Sequence, residues 1–169
     1  MIRCTKAIIY KENLENNIKQ IRNFVNPKVK ICVAVKADGY GHNAVLTAQI
    51  AEKNGVDYLA VASVNEGIEL RKNGIKASIL LLSLCTPLEM QDLFQYNITP
   101  LIFSEENIKC LKAAALCYFK GDEKFPVFLA VDTGMGRVGC CSADAGKEAS
   151  LINDSEHLKL AGMCTHFAV

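Results

Sequence analysis

Neither sign of charge dominates this chain: Lys and Arg number 19 against 18 Asp and Glu in 169 residues. That balance excludes the large basic surface that nucleic acid or an anionic membrane would demand, and it leaves a small molecule as the expected partner. The chain also lacks an apolar run long enough to cross a bilayer. Ile79-Leu80-Leu81-Leu82 is closed off by Ser78 and Ser83, far short of the roughly 20 residues a membrane helix needs. No secretory signal is legible at the start, since Met1-Ile2-Arg3-Cys4-Thr5-Lys6-Ala7 carries charge where a long apolar core belongs. Cysteine is not scarce, with 8 residues, but none are spaced Cys-x-x-Cys, and the 3 histidines show no ligand spacing, so no metal site is expected. Most of the cysteines sit within apolar stretches, where a thiol packs as a small hydrophobe. They read as reduced residues of a cytoplasmic protein, with the adjacent Cys140 and Cys141 in packing roles.

What the chain does have is 50% apolar and 22% charged residues, the proportions of one ordinary globular domain. From Lys30 onward, runs rich in Val, Ile and Leu alternate with stretches of helical period. Strands are predicted at 30–36, 57–63, 78–83, 98–103, 127–132 and 158–166, each almost continuously apolar, as a strand covered on both faces must be. Between them, Ala44, Ala48 and Ala51 mark a helix over 43–54, a second helix covers 65–73, and Ile108, Leu111 and Ala115 mark a third over 105–118. Pro87 suits the first turn of a helix, and Gly55 and Gly74 stand where C-terminal caps belong. Upstream, 5–10 reads as a short strand, and Leu14, Ile18, Ile21 and Val25 mark a helix. The main strands recur about every 26 residues, the scale of a βα unit. The predicted fold is an α/β barrel of the (β/α)8 TIM type, incomplete, with about six of its eight strands present. The chain stops directly after its last predicted strand, an edge that a finished domain seldom exposes, so a longer polypeptide is expected.

A lysine closing a buried strand needs a partner or a task. Lys36 follows Ile31-Cys32-Val33-Ala34-Val35 directly. At the C-terminal end of a barrel strand a desolvated amine becomes a nucleophile, although a solvated lysine fits that position equally well. The continuation Asp38-Gly39-Tyr40-Gly41-His42 places two glycines around a tyrosine, giving free backbone and a phenol near where an anion would sit. A second strand end, Asp132-Thr133-Gly134-Met135-Gly136-Arg137-Val138-Gly139, carries Arg137, and a third, Thr165-His166-Phe167-Ala168, carries His166. Taken singly, these are a tight loop with a solvated arginine and a hydrogen-bonded core histidine.

Taken together, the three segments resemble the alanine racemase family. Ala34-Val35-Lys36-Ala37-Asp38-Gly39-Tyr40-Gly41-His42 is similar to its pyridoxal-phosphate attachment motif, and the other two to its Asp-Thr-Gly-Met-x-Arg-x-Gly and Thr-His-Phe-Ala segments. Thr5-Lys6-Ala7-Ile8-Ile9, Ala60-Val61-Ala62-Ser63 and Ile79-Leu80-Leu81-Leu82-Ser83 follow in the family's order, so the likeness spans the chain. The resemblance implies a pyridoxal 5'-phosphate enzyme that interconverts L-alanine and D-alanine by two-base α-proton transfer, supplying D-alanine for cell-wall peptidoglycan. It implies that Lys36 holds the cofactor and is one of the bases, that Tyr40 contacts the cofactor phosphate, that Arg137 contacts its phenolic oxygen, and that His166 lies beside its ring. The opposite base is implied to be a tyrosine from a C-terminal β-rich domain, absent from 1–169, contributed by the partner subunit of a homodimer.

Two positions depart from the family pattern. Asn43 replaces a usual glycine where a helix begins, and Asn is a good N-cap there. Ala130 stands where many members have a carbamylated lysine that holds the arginine, so another group must orient Arg137. The alternatives are a non-catalytic pyridoxal-phosphate-binding barrel, whose lysine motif lacks the Asp-Gly-Tyr-Gly-His continuation, and a racemase of serine or of broad range, which these residues do not separate from one of alanine. The 169 residues alone are expected to be inactive, and prone to aggregate through two unpaired sheet edges.

Overall fold

A computed structural model describes residues 5–169. Helix α1 (Lys11–Phe24) leads into the first strand, β1 (Cys32–Ala34), a short helical segment α2 (Lys36–Gly41) and helix α3 (Ala44–Lys53). There follow β2 (Tyr58–Val61), α4 (Val64–Lys72), β3 (Ser78–Leu81), a 3-10 turn at Pro87–Glu89, α5 (Met90–Gln95), β4 (Ile98–Ile102) and α6 (Glu105–Tyr118). The chain closes with β5 (Phe125–Asp132), β6 (Cys140–Cys141), α7 (Ala145–Asn153) and β7 (Leu158–Cys164). All the strand pairs are parallel, running β1-β2-β3-β4-β5, with β7 against most of β5 and β6 against its last two residues. This is the incomplete βα barrel that the strand spacing predicts.

Local chemistry explains where the helices begin and end. The Asn43 side chain accepts the Leu46 N–H at 2.9 Å, which is the capping role that position suggested. Ser63 and Glu66 form a reciprocal capping box at the start of α4, and Ser104 accepts the Asn107 N–H at the start of α6. Pro87 opens the 3-10 turn, and Gly55 and Gly74 follow α3 and α4 with φ of 71° and 83°. The core lies between the sheet and the helices, where Leu59, Ile79, Leu81 and Leu129 meet Leu70, Leu93, Ile108 and Leu111, all essentially inaccessible.

The opposite face of the sheet is concave. The rings of Tyr58 on β2 and Phe128 on β5 meet edge to face at 5.6 Å between centroids. In a flat sheet, perpendicular side chains three strands apart would stay about 14 Å from one another. The contact therefore records a sheet already rolled toward closure. Gly162 on β7 is part of that packing, since a Cβ there would stand 2.6 Å from the Phe128 ring.

Four expectations are corrected. Residues 5–10 form no strand: an apolar pattern does not make a ladder without a partner, and none of the described strands pairs with them. The predicted strand at 30–36 shortens to Cys32–Ala34, because Lys36 already belongs to α2. Continuous burial holds for β4 but fails in β7, where only Leu158 is buried and exposed and half-buried positions alternate after it, at a strand whose far edge is unpaired among the described residues. The cysteines are mostly not packing residues. Of those described, Cys140 alone is buried, whereas Cys32, Cys110, Cys117 and Cys141 are exposed, and all are free thiols. Cys110 and Cys117 lie seven residues apart on α6, on the face away from the buried stripe of Ile108, Leu111 and Ala115. Strand β6 and helix α7 were not anticipated.

Candidate functional site at the C-terminal strand ends

The segment after β1 is left-handed. Ala37, Asp38, Gly39 and Tyr40 have φ of 51°, 52°, 62° and 53°, so three residues with side chains occupy a region that costs roughly 1–2 kcal/mol each. Hydrogen bonds over-determine the turn. The Gly39 N–H donates to the Val35 carbonyl at 2.8 Å, the Ala37 N–H donates to Glu66 Oε1 at 2.8 Å, and Asp38 Oδ1 accepts the Ala44 N–H at 2.8 Å. This turn places the half-buried Lys36 on the concave side of the sheet and leaves Tyr40 exposed beyond it.

The segment after β5 is built around Asp132. Its Oδ1 accepts the Gly134 N–H at 2.8 Å and the Gly136 N–H at 3.1 Å, and these backbone donors, Gly134 first, hold its carboxyl below the ordinary value of 3.8. Gly139 then passes so close to β5 that a Cβ on it would overlap the Asp132 backbone nitrogen, at a φ of 136° that only glycine tolerates. The doubled-back loop brings Arg137 over the strand ends.

Lys36, Arg137 and His166 line one cleft of about 630 Å³, floored by Leu80, Leu101 and Ala130. Tyr40 is not among its lining residues. Among the described residues no ion pair reaches Arg137, and Ala130, which shares its cleft, is nearly inaccessible and offers only a methyl group. Ser83 also lines the cleft, its hydroxyl donating to the Ala62 carbonyl at 2.7 Å. In the sequence Ser83 stood out only as the end of the third predicted strand and of a segment in the family's order, with no role attached to it. Glu66 carried no signal, because a capping box explains it fully until the structure shows its other contacts. No group of three or more potential metal ligands occurs among the described residues, and no helix among them is long and apolar enough to cross a membrane.

The chemistry of this donor set is an amine, a cation and an imidazole around an apolar floor. Residues 9–169 match the profile described as alanine racemase, N-terminal domain. An alanine racemase of Treponema denticola is 49% identical over 168 residues, covering 99% of this chain and 44% of that protein. One from Desulforamulus reducens is 40% identical over 163 residues, covering 96% of this chain and 43% of its own length. Among solved structures, an alanine racemase of Clostridium difficile in complex with cycloserine superposes with a TM-score of 0.88 at 39% identity, covering 94% of this chain and 43% of that one. The enzyme from E. faecalis gives 0.83 at 31% identity, with 94% and 43% covered. The chain thus spans less than half the length of these relatives, and within that span it belongs to the alanine racemase family as its N-terminal domain.

Proposed function

We propose that this chain is the cofactor-binding barrel portion of a racemase that interconverts L-alanine and D-alanine, with pyridoxal 5'-phosphate as cofactor. One observation carries the reading: Lys36, Arg137 and His166, far apart in sequence, share one cleft at the C-terminal ends of parallel strands, where barrel enzymes place their chemistry. The residues suit the cofactor. The cleft volume of about 630 Å³ is that of a small-molecule site. Lys36 offers an amine for its carbonyl carbon, and Arg137 a fixed cation for its phenolic oxygen. When bound, the cofactor supplies a conjugated ring that delocalises charge developing at the substrate's α-carbon.

Lys36 Nζ takes the α-proton from one face of D-alanine while the opposite base supplies a proton to the other face, and in the reverse direction Lys36 is the donor. Arg137 orients through its guanidinium, His166 contacts the ring region, and the apolar floor of Leu80 and Leu101 excludes water from the reacting atoms. Tyr40, exposed on the left-handed turn, is assigned to the phosphate together with residues from beyond this span. The opposite base is assigned to a tyrosine of a C-terminal domain in a homodimer, so the 169 residues alone should form no measurable D-alanine. D-alanine formation by the isolated chain would overturn that statement. The assignment of Lys36 is tested in the full-length protein by the visible absorption of the lysine-bound cofactor. Lys36→Ala should abolish that band, and an unchanged band would refute the role given to Lys36.

A further inference from the structure

We propose that Glu66 is a positioning residue for Lys36, its carboxylate clamping the left-handed turn that follows the lysine onto the start of α4. The proposal rests on the assignment of Lys36 above. A capping box asks of its glutamate only a bond to the N-cap backbone, here the Ser63 N–H at 3.3 Å. Glu66 does more. Its Oε2 also accepts the Ala62 N–H at 2.6 Å, and its Oε1 reaches across to the Ala37 N–H at 2.8 Å. Ala37 is the residue directly after Lys36, and Ala62 lines the cleft beside it. Neither of these two contacts is needed to start a helix.

The turn gives the contacts their purpose. Left-handed Ala37, Asp38 and Tyr40 are held against their own preference, and such a conformation persists only where its surroundings impose it. Asp38 ties the middle of the turn to α3 through the Ala44 N–H. Glu66 is what ties its first residue, through a charge-assisted bond between segments 29 residues apart. Without it, Ala37 is free to relax, and the direction in which Lys36 enters the cleft relaxes with it. Glu66 does not itself line the cleft, so it acts through the lysine.

The test compares the full-length wild type with E66A, E66Q, S63A and K36A. The Ser63 hydroxyl accepts the Glu66 N–H and makes no hydrogen bond to the turn, so S63A removes a share of the cap and spares the clamp. In cofactor-free protein, hydrogen exchange of segment 37–42 should be at least tenfold faster in E66A and near wild type in S63A, while α4 exchanges faster in both. In cofactor-loaded protein, E66A should lower kcat at least tenfold with KM changed less than threefold. E66Q, which keeps one acceptor oxygen, should recover part of both effects, and S63A should stay within threefold of wild type. If E66A and S63A behave alike in segment 37–42 and in kcat, Glu66 is only a cap and the clamp is overturned. If K36A keeps the visible cofactor band, the proposal falls instead with the assignment of Lys36.

Discussion

The hydroxyls of Thr133 and Thr165 lie 2.7 Å apart and tie the end of β5 to the end of β7. Each belongs to a different sequence motif, one leading to Arg137 and the other to His166. Both residues are exposed, so T133V and T165V should each cost less than about 1.5 kcal/mol. The pair should be non-additive by at least about 0.5 kcal/mol in a double-mutant cycle followed by denaturant unfolding. Strict additivity would show that the two hydroxyls do not hold the strand ends together.

Gly139 sits at a position no side chain fits, whereas Gly134 is equally left-handed, with φ of 126°, but open around its Cα. G134A should cost the strain alone, about 1–3 kcal/mol. G139A must also displace the backbone of β5 and should cost more, above roughly 3 kcal/mol. Unfolding midpoints in the reverse order would contradict the account of the Arg137 loop.

Arg71 is a structural rather than a catalytic arginine. Its guanidinium donates to the carbonyls of Ile75, Ala77, Tyr96 and Asn97 at 2.7–2.9 Å, fastening the chain entering β3 to the chain entering β4. R71M keeps the stem but orphans four acceptors, and it should destabilise by about 2–4 kcal/mol. R71K should recover only part of that loss, because an ammonium cannot match the fork of donors.

Asp132 makes stability depend on pH in a stated direction. Its folded pKa lies below the ordinary 3.8 because the carboxylate accepts backbone N–H groups. Its stabilisation is therefore fully present above the unfolded value and is lost as pH falls through the lower folded value. The gap in unfolding free energy between wild type and D132N should be constant from pH 7 to pH 5 and close below about pH 4. A gap that widened on acidification would reverse the sign of the argument.

Thiol reactivity should follow the exposure of each cysteine and its tendency to ionise. Cys110, Cys117 and Cys141 should alkylate first at pH 8, and the buried Cys140 last. Cys32 should lag behind the other exposed thiols, since partial desolvation of its sulfur by its neighbours, with Cys164 adding, pushes it up to about 11 although the residue as a whole is exposed. Mass spectrometry of time-resolved alkylation ranks them, and early labelling of Cys32 would refute the shift.

Strands β2 to β5 were legible because helices cover one face and the rolled sheet encloses part of the other, leaving near-continuous apolar runs in the sequence. Strand β6 was not, because two residues carry no pattern, and its pairing with Val131 and Asp132 depends on the loop that turns back at Gly139. Lys36, Arg137 and His166 were legible through their motifs, but nothing in those motifs shows that Tyr40 is exposed and outside the lining of the cleft the other three share.

By itself, the sequence determined the parallel βα architecture, the helix start at Asn43, and the family, since apolar period, capping chemistry and motif spacing are local properties. Tertiary structure decided the rest. The left-handed conformation of Ala37, Asp38 and Tyr40 runs against the preference of those residues, and contacts from Glu66 and Ala44 hold it in place. The exposure of most cysteines likewise followed from which face of each element the packing chose. Local preference writes the elements, and long-range contacts decide where their side chains point.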